Sequence, residues 1–204
     1  RPHEPTAMSD AALPADPVAI TRRWLERAVI GLNLCPFAKA VMVKEQVRFV
    51  VSAATTEEAL LEDLAAELQH LRDTPTEVTD TTLLIHPQVL GDFLDYNDFL
   101  GIAEALVAEL DLEGVLQVAS FHPHYRFDGT ADDDIANYTN RSPFPTLHLL
   151  REDSVSRAVD AYPDPDVIVE RNVRTLDRLG HDGWRELFAE AAPDSPRFPP
   201  VTQE

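Results

Sequence analysis

Three short strand-like segments, separated by two amphipathic helical ones, constrain this chain more than any other feature. Residues 46–51, 81–85 and 115–121 are apolar runs with β-branched residues, too short for independent buried helices. Between the first two, Thr55 and Glu58 form a capping box that opens a helix with Leu60, Leu61, Leu64, Leu68 and Leu71 on one face. Between the second and third, Asp92 or Asp98 opens a helix whose Phe99, Ile102, Ala103, Leu106 and Leu110 share a face until Gly114 breaks it. The order strand, helix, strand, helix, strand implies two right-handed crossovers and three roughly parallel strands. A fourth strand follows at 146–150, after a Pro-x-Pro turn. The expectation is the α/β class, with α+β as the alternative: a small mixed, mainly parallel sheet of about four strands with helices packed on it.

Flanking segments complete the outline. Asp16-Pro17 is an N-cap with proline at the first helical position, and Ile20, Trp24, Leu25, Ala28, Val29 and Leu32 recur at helical spacing. One helix is expected over 17–34, ended by Pro36. Helices are also expected over 154–162 and, from the Asp164 cap to the Gly180 stop, over 165–179. A last short helix carries Trp184, Leu187 and Phe188. Residues 1–15, with Met8 among them, read as an irregular leader, 16–190 as one globular domain, and 191–204 as a proline-rich irregular tail.

Charge and cysteine content narrow the function. With 36 acidic against 17 basic residues the formal charge is −19, a field that repels phosphate backbones and anionic lipid. Nucleic-acid and membrane partners are therefore not expected, and no apolar run approaches the roughly 18 residues of a membrane span. Cys35 is the only cysteine, which leaves no intrachain disulfide and no CxxC pair. A cytoplasmic location is expected.

Chemically able side chains concentrate in the connection that leaves the third strand. His86-Pro87 and His122-Pro123 each follow the carboxyl end of a strand, where open parallel sheets form ligand crevices. If their strands are neighbours, about 4.8 Å apart, the two imidazoles can share one ion. His124 extends this, because an extended His-x-His places both rings on one face, a geometry that grips a divalent transition metal. Competing with this is a bland reading in which the histidines cap strand ends. Arg141 and Arg126 can hold an anionic small-molecule substrate by bidentate contacts, with Asn137 and Asn140 as further donors. In the plainer reading the asparagines cap a helix and Arg141 pairs with an acid. Tyr138 or Asp98 can assist proton transfer. Cys35 falls at the end of the first helix, where the dipole does not favour a thiolate, and it is either a small hydrophobe or a nucleophile paired with His86 or His122. His148, between Leu147 and Leu149, reads as a satisfied buried histidine.

The blocks GLNLCPFAKAV, DTTLLIHPQVL, DFLDYNDFL, LQVASFHPHYRF, DDIANYTNRSPFPTLHLLRE and LGHDGW, spread from about Ala19 to Leu187, resemble a bacterial family catalogued as domain of unknown function 1415. That resemblance assigns no activity and no role to any residue. Three functions follow from the residues themselves. The first is a small-molecule enzyme with a transition metal on His86, His122 and His124. The second is a metal-free acyl hydrolase or transferase using Cys35. The third is a non-enzymatic binding or assembly protein. Oligomeric state is not encoded in any of these patterns.

Overall fold

A computed structural model describes residues 16–162 and 164–189, so the expected leader and tail lie outside the described residues. Helix α1, Pro17–Trp24, is capped by Asp16 and continues into a wider-turned π segment, Leu25–Ile30. The expected single helix over 17–34 is thus divided. Its hydrogen bonds lengthen to Gly31 N–H→Glu26 O and Leu34 N–H→Val29 O, at 3.0 and 2.9 Å. Glycine is required at 31, because a Cβ there would collide with the Arg27 carbonyl oxygen. A short helix α2, Ala38–Val43, leads to strand β1, Val47–Val51. Helix α3, Glu57–Asp73, is capped by Thr56 rather than Thr55, its hydroxyl accepting the Ala59 N–H at 3.2 Å. Strand β2, Thr81–Ile85, is followed by helix α4, Phe93–Glu109, for which Asp92 is the cap and Asp98 an exposed interior residue.

Strand β3, Leu116–Phe121, then gives way to a long connection containing a 3-10 turn, Ile135–Asn140, before strand β4, Thr146–Arg151. Helix α5, Glu152–Asp160, follows directly, and α6, Pro165–Glu186, is broken at Gly180, where φ is 68°. That break separates the two expected C-terminal helices, since an L side chain rarely adopts such a backbone.

The α/β class holds, but the sheet is mostly antiparallel. Its order is β1-β2-β4-β3, with β1 parallel to β2 and β4 antiparallel to both β2 and β3. Strands β1, β2 and β3 do run in one direction, as the crossovers require. The connection after β3 nevertheless folds β4 back between β2 and β3, so the two strands that end in His-Pro are not neighbours. The single reversed strand converts two of three pairings to antiparallel.

Alternation along the strands divides the apolar residues into two cores. On one face, Leu60, Leu64, Leu68 and Leu71 of α3 and Tyr96, Phe99, Ala103 and Val107 of α4 pack on Leu84, Leu116, Leu147 and Leu149. On the other, Trp24, Leu25, Ala28, Val29 and Leu32 pack with Leu83, Leu176 and Trp184. Arg151 ties strand to helix: its Nη2 lies 2.9, 2.6 and 2.8 Å from the carbonyls of Leu71, Thr74 and Thr79. Carbonyls at the end of α3 thereby gain a cationic donor. Among the described residues no helix is long and apolar enough to cross a membrane.

Candidate functional site

The carboxyl ends of β1, β2 and β3 share one rim, and both His-Pro corners stand on it. His86 is fully buried and donates Nδ1–H to the Val89 carbonyl at 3.0 Å, while Nε2 has no partner among the described residues. His122, also buried, donates Nε2–H to the Leu90 carbonyl at 2.9 Å, and its Nδ1 accepts the His124 backbone N–H at 3.0 Å. Both ring nitrogens of His122 are therefore engaged in protein contacts, and neither is available to an ion. His124 is exposed, and the bond from Tyr125 N–H to the His122 carbonyl at 3.1 Å curls the segment into a turn. The extended His-x-His geometry is absent for that reason.

With β4 between them, the rings of His86 and His122 meet only through Tyr96, at centroid distances of 5.9 and 4.9 Å. The Tyr96 hydroxyl donates to the Thr146 carbonyl at 2.7 Å and accepts the Phe121 N–H at 3.1 Å, which closes the rim. Burial pushes the His86 ring down to about 4 and lowers His122, and it raises the Tyr96 phenol. Among the described residues no group of three or more His, Cys, Asp or Glu is placed to hold a metal ion. Neutral, mutually packed and bonded to backbone, these side chains form a buried polar seam.

The connection from β3 to β4 uses its polar groups on itself. Asn137, fully buried, accepts from Phe127 N–H and the Thr130 hydroxyl at 2.9 and 3.0 Å and donates to the Ala131 carbonyl at 2.9 Å. Asn140 donates to the Ser120 carbonyl at 3.1 Å. Arg141 donates Nε–H to the Tyr125 carbonyl at 3.0 Å and Nη2–H to the Asp132 carbonyl at 2.6 Å, and stands 4.6 Å above the Tyr138 ring. It also pairs with the Asp132 carboxylate at 3.5 Å, the acid contact that the plainer reading anticipates. Tyr138 packs edge-on against His181 and Trp184. Arg126 is exposed, and Asp98 lines an acidic surface cleft with Glu57, Glu58 and Asp95, apart from Arg141 and Tyr138. A hollow of about 320 Å³ lies between Arg23, Trp24, Tyr138, Arg141 and Trp184.

The opposite wall of Trp24 borders a different space. A cavity of about 370 Å³ lies between the sheet and the α1–π segment, α2 and α5, lined by Leu25, Val29, Val47, Leu83, Phe121 and Val155 among others. That is within the size range of small-molecule sites, roughly 300–1,000 Å³. Cys35 and His148 are both in its lining. The turn that carries Cys35 is built from Asn33 at a φ of 53° and is held by the Asn172 side chain, which donates to the Leu34 carbonyl at 2.8 Å. Strand alternation places His148 beside Leu83 and Ala119, with its ring 5.7 Å from that of Phe121.

His148 has one fixed partner. Thr81 Oγ1 lies 2.7 Å from the Leu149 carbonyl and 2.7 Å from His148 Nε2. A hydroxyl has one proton, and the carbonyl can only accept it, so Thr81 must accept from Nε2–H. Nδ1 is left unprotonated, and among the described residues the ring's one side-chain hydrogen bond is that of Nε2 to Thr81. Burial pushes the ring down to about 4, which keeps it neutral near pH 7. Cys35 makes no side-chain hydrogen bond among the described residues, so thiol and imidazole face one space without touching. Apart from these two, the lining residues with polar groups are Trp24, Thr81, Gln117, Asp80 and Ser154, and the Ser154 hydroxyl donates to Asp80 at 2.6 Å.

Sequence reasoning takes His148 as fully satisfied because both chain neighbours are leucines. The alternation TLHLL contains the missed signal: Leu147 and Leu149 point to one core, whereas His148 and Leu150 point to the other face.

Fold and site together define a mixed α/β protein whose sheet is sealed on one face and hollowed by a small-molecule-sized cavity on the other. The chain belongs to the family described as Protein of unknown function (DUF1415), which matches residues 16–186. No curated protein and no solved structure matches it.

Proposed function

We propose that this chain binds one small, largely apolar molecule in the cavity beneath α1, α2 and α5, and that the His-Pro rim is scaffold. The observation that carries this reading is a space of about 370 Å³ walled by Trp24, Leu25, Val29, Leu83 and Phe121, with Cys35 and His148 among its few polar or reactive groups. An apolar enclosure with few convergent polar groups is the usual form of a small-molecule site. The test is ligand-dependent stabilisation. Saturating indole raises the unfolding midpoint of the wild-type protein, and Ala158→Phe, which fills the space from α5, removes most of the shift. Equal stabilisation of both proteins would refute the assignment.

A second reading is favoured by the thiol in the wall. Cys35 Sγ bonds to the acyl carbon of a bound ester, the bond to the leaving group breaks, and the thiol proton departs with that group. His148, with its ring held to about 4, is too weak a base to take this proton by itself. The reaction is consequently slow unless the substrate brings a good leaving group. Incubation with p-nitrophenyl butyrate gives one butyryl adduct by intact mass, lost in Cys35→Ala. Labelling no faster than that of free cysteine leaves binding without covalent chemistry.

A further inference from the structure

We propose that His148 Nδ1 is a hydrogen-bond acceptor presented to the cavity, so that the molecule held there is apolar but carries one hydroxyl or N–H donor. This rests on the cavity being the binding site and adds the chemical class of its occupant. The assignment follows from proton counting. Thr81 gives its only hydroxyl proton to the Leu149 carbonyl and fixes His148 as the Nε2–H tautomer, so the nitrogen without a protein partner is the one bearing a lone pair.

The rest of the wall reinforces the selection. Asp80, the cavity's carboxylate, accepts the Ser154 hydroxyl at 2.6 Å on one oxygen and can only accept on the other, so it too favours a ligand that donates. Gln117 both donates and accepts, so it does not discriminate. Leu25, Val29, Leu83 and Phe121 offer only apolar contact to the remainder of the ligand. A molecule without a donor leaves Nδ1 unmatched, and one bearing only an acceptor faces lone-pair repulsion. Burial, which holds the ring near 4, prevents the imidazole from becoming a donor by protonation at neutral pH.

The experiment compares three probes of similar size by calorimetric titration of the full chain: indole, which donates; benzothiophene, which does neither; and 1-indanone, which only accepts. Wild type is expected to bind indole about tenfold more tightly than benzothiophene, the gain of one net hydrogen bond, with 1-indanone weakest. Equal affinities for indole and benzothiophene overturn the donor requirement while leaving the cavity as a site. Failure of all three to bind overturns the cavity and the inference with it.

Two variants separate tautomer from packing. Thr81→Val releases Nε2, so His148 can adopt the other tautomer and offer a proton to the cavity; 1-indanone then gains on indole by about tenfold. His148→Leu abolishes the preference among the probes. Should His148→Leu fail to fold, nitrogen-15 NMR of the wild-type imidazole decides alone. Nδ1 resonates as an unprotonated nitrogen that shifts with indole and not with benzothiophene, and a protonated Nδ1 refutes the proposal.

Discussion

Leu83 and Leu84 are adjacent on β2, yet they belong to different worlds. Leu84 points into the face where α3 and α4 interlock, among Leu60, Leu64, Leu68, Phe99 and Ala103, each at most 1% exposed. Leu83 points to the face where Trp24 and Val29 pack beside it and also border a hollow. Both helical layers are amphipathic, and both cover the same four strands. The difference lies in the covering elements. Helices α3 and α4 are regular 17-residue helices with leucine and phenylalanine ridges, whereas the opposite layer combines α1 and its π segment, a six-residue α2, the half-covered α5 and an α6 broken at Gly180. Long regular helices pack at native density, and short irregular ones leave space. One face secures the fold, and the other is free to hold a ligand.

Large-to-small substitution at these two neighbours is the strongest way to break that contrast. Leu84→Ala opens a new void in a closed core and is expected to cost about 4 kcal/mol, the transfer term plus the cavity term. Leu83→Ala enlarges a void that already exists, so it loses mainly the transfer term, about 2 kcal/mol. Urea unfolding of the two variants at pH 7 measures the difference. Equal losses would mean that the hollow face is as tightly packed as the sealed one.

Acid titration reaches both faces at once, because His86 lies in the polar seam beside α4 and His148 in the cavity wall. Each ring is held to about 4, below its ordinary value near 6.5. The folded form keeps these rings neutral while the unfolded chain takes up protons. Their contribution is complete above about pH 6.5, is lost as pH falls toward 4, and is flat below that. Each ring carries up to about 3 kcal/mol of this dependence. Denaturant unfolding between pH 7 and 4, compared in wild type, His86→Phe and His148→Phe, resolves the two shares. A bound donor ligand deepens the slope assigned to His148 alone, since it favours the unprotonated ring.

The parts legible in the sequence were those set by local pattern. Strand positions followed from apolar runs, the caps at Asp16 and Asp164 from their side-chain chemistry, and the break at Gly180 from its backbone freedom, whereas the choice of Asp92 over Asp98 came only with the structure. Strand order was not legible, because no local feature states that the 24 residues between Phe121 and Thr146 return β4 to the middle of the sheet. That insertion separates His86 from His122 and supplies backbone carbonyls that engage their neighbourhood, so residues chosen for their chemistry serve as a seam. Cys35, read as either a small hydrophobe or a nucleophile paired with His86 or His122, lines the cavity, where the histidine in the same wall is His148. Their meeting depends on the space between layers, which residue periodicity does not encode.

Adding volume gives the smallest effect and the finest test of the contrast. Ala103 on α4 is fully buried in the sealed core, and Ala158 on α5 lines the hollow. Ala103→Leu forces three extra carbons into a space without vacancies and should destabilise by about 1–3 kcal/mol. Ala158→Leu extends into the cavity, where the added methyl groups meet Val155 and its neighbours without displacing them, and its effect should stay within about 0.5 kcal/mol of zero. The same substitution should weaken indole binding, because it removes the volume the ligand needs. Opposite behaviour of the two leucines in stability, with loss of binding in only the second, assigns packing to one face of the sheet and recognition to the other.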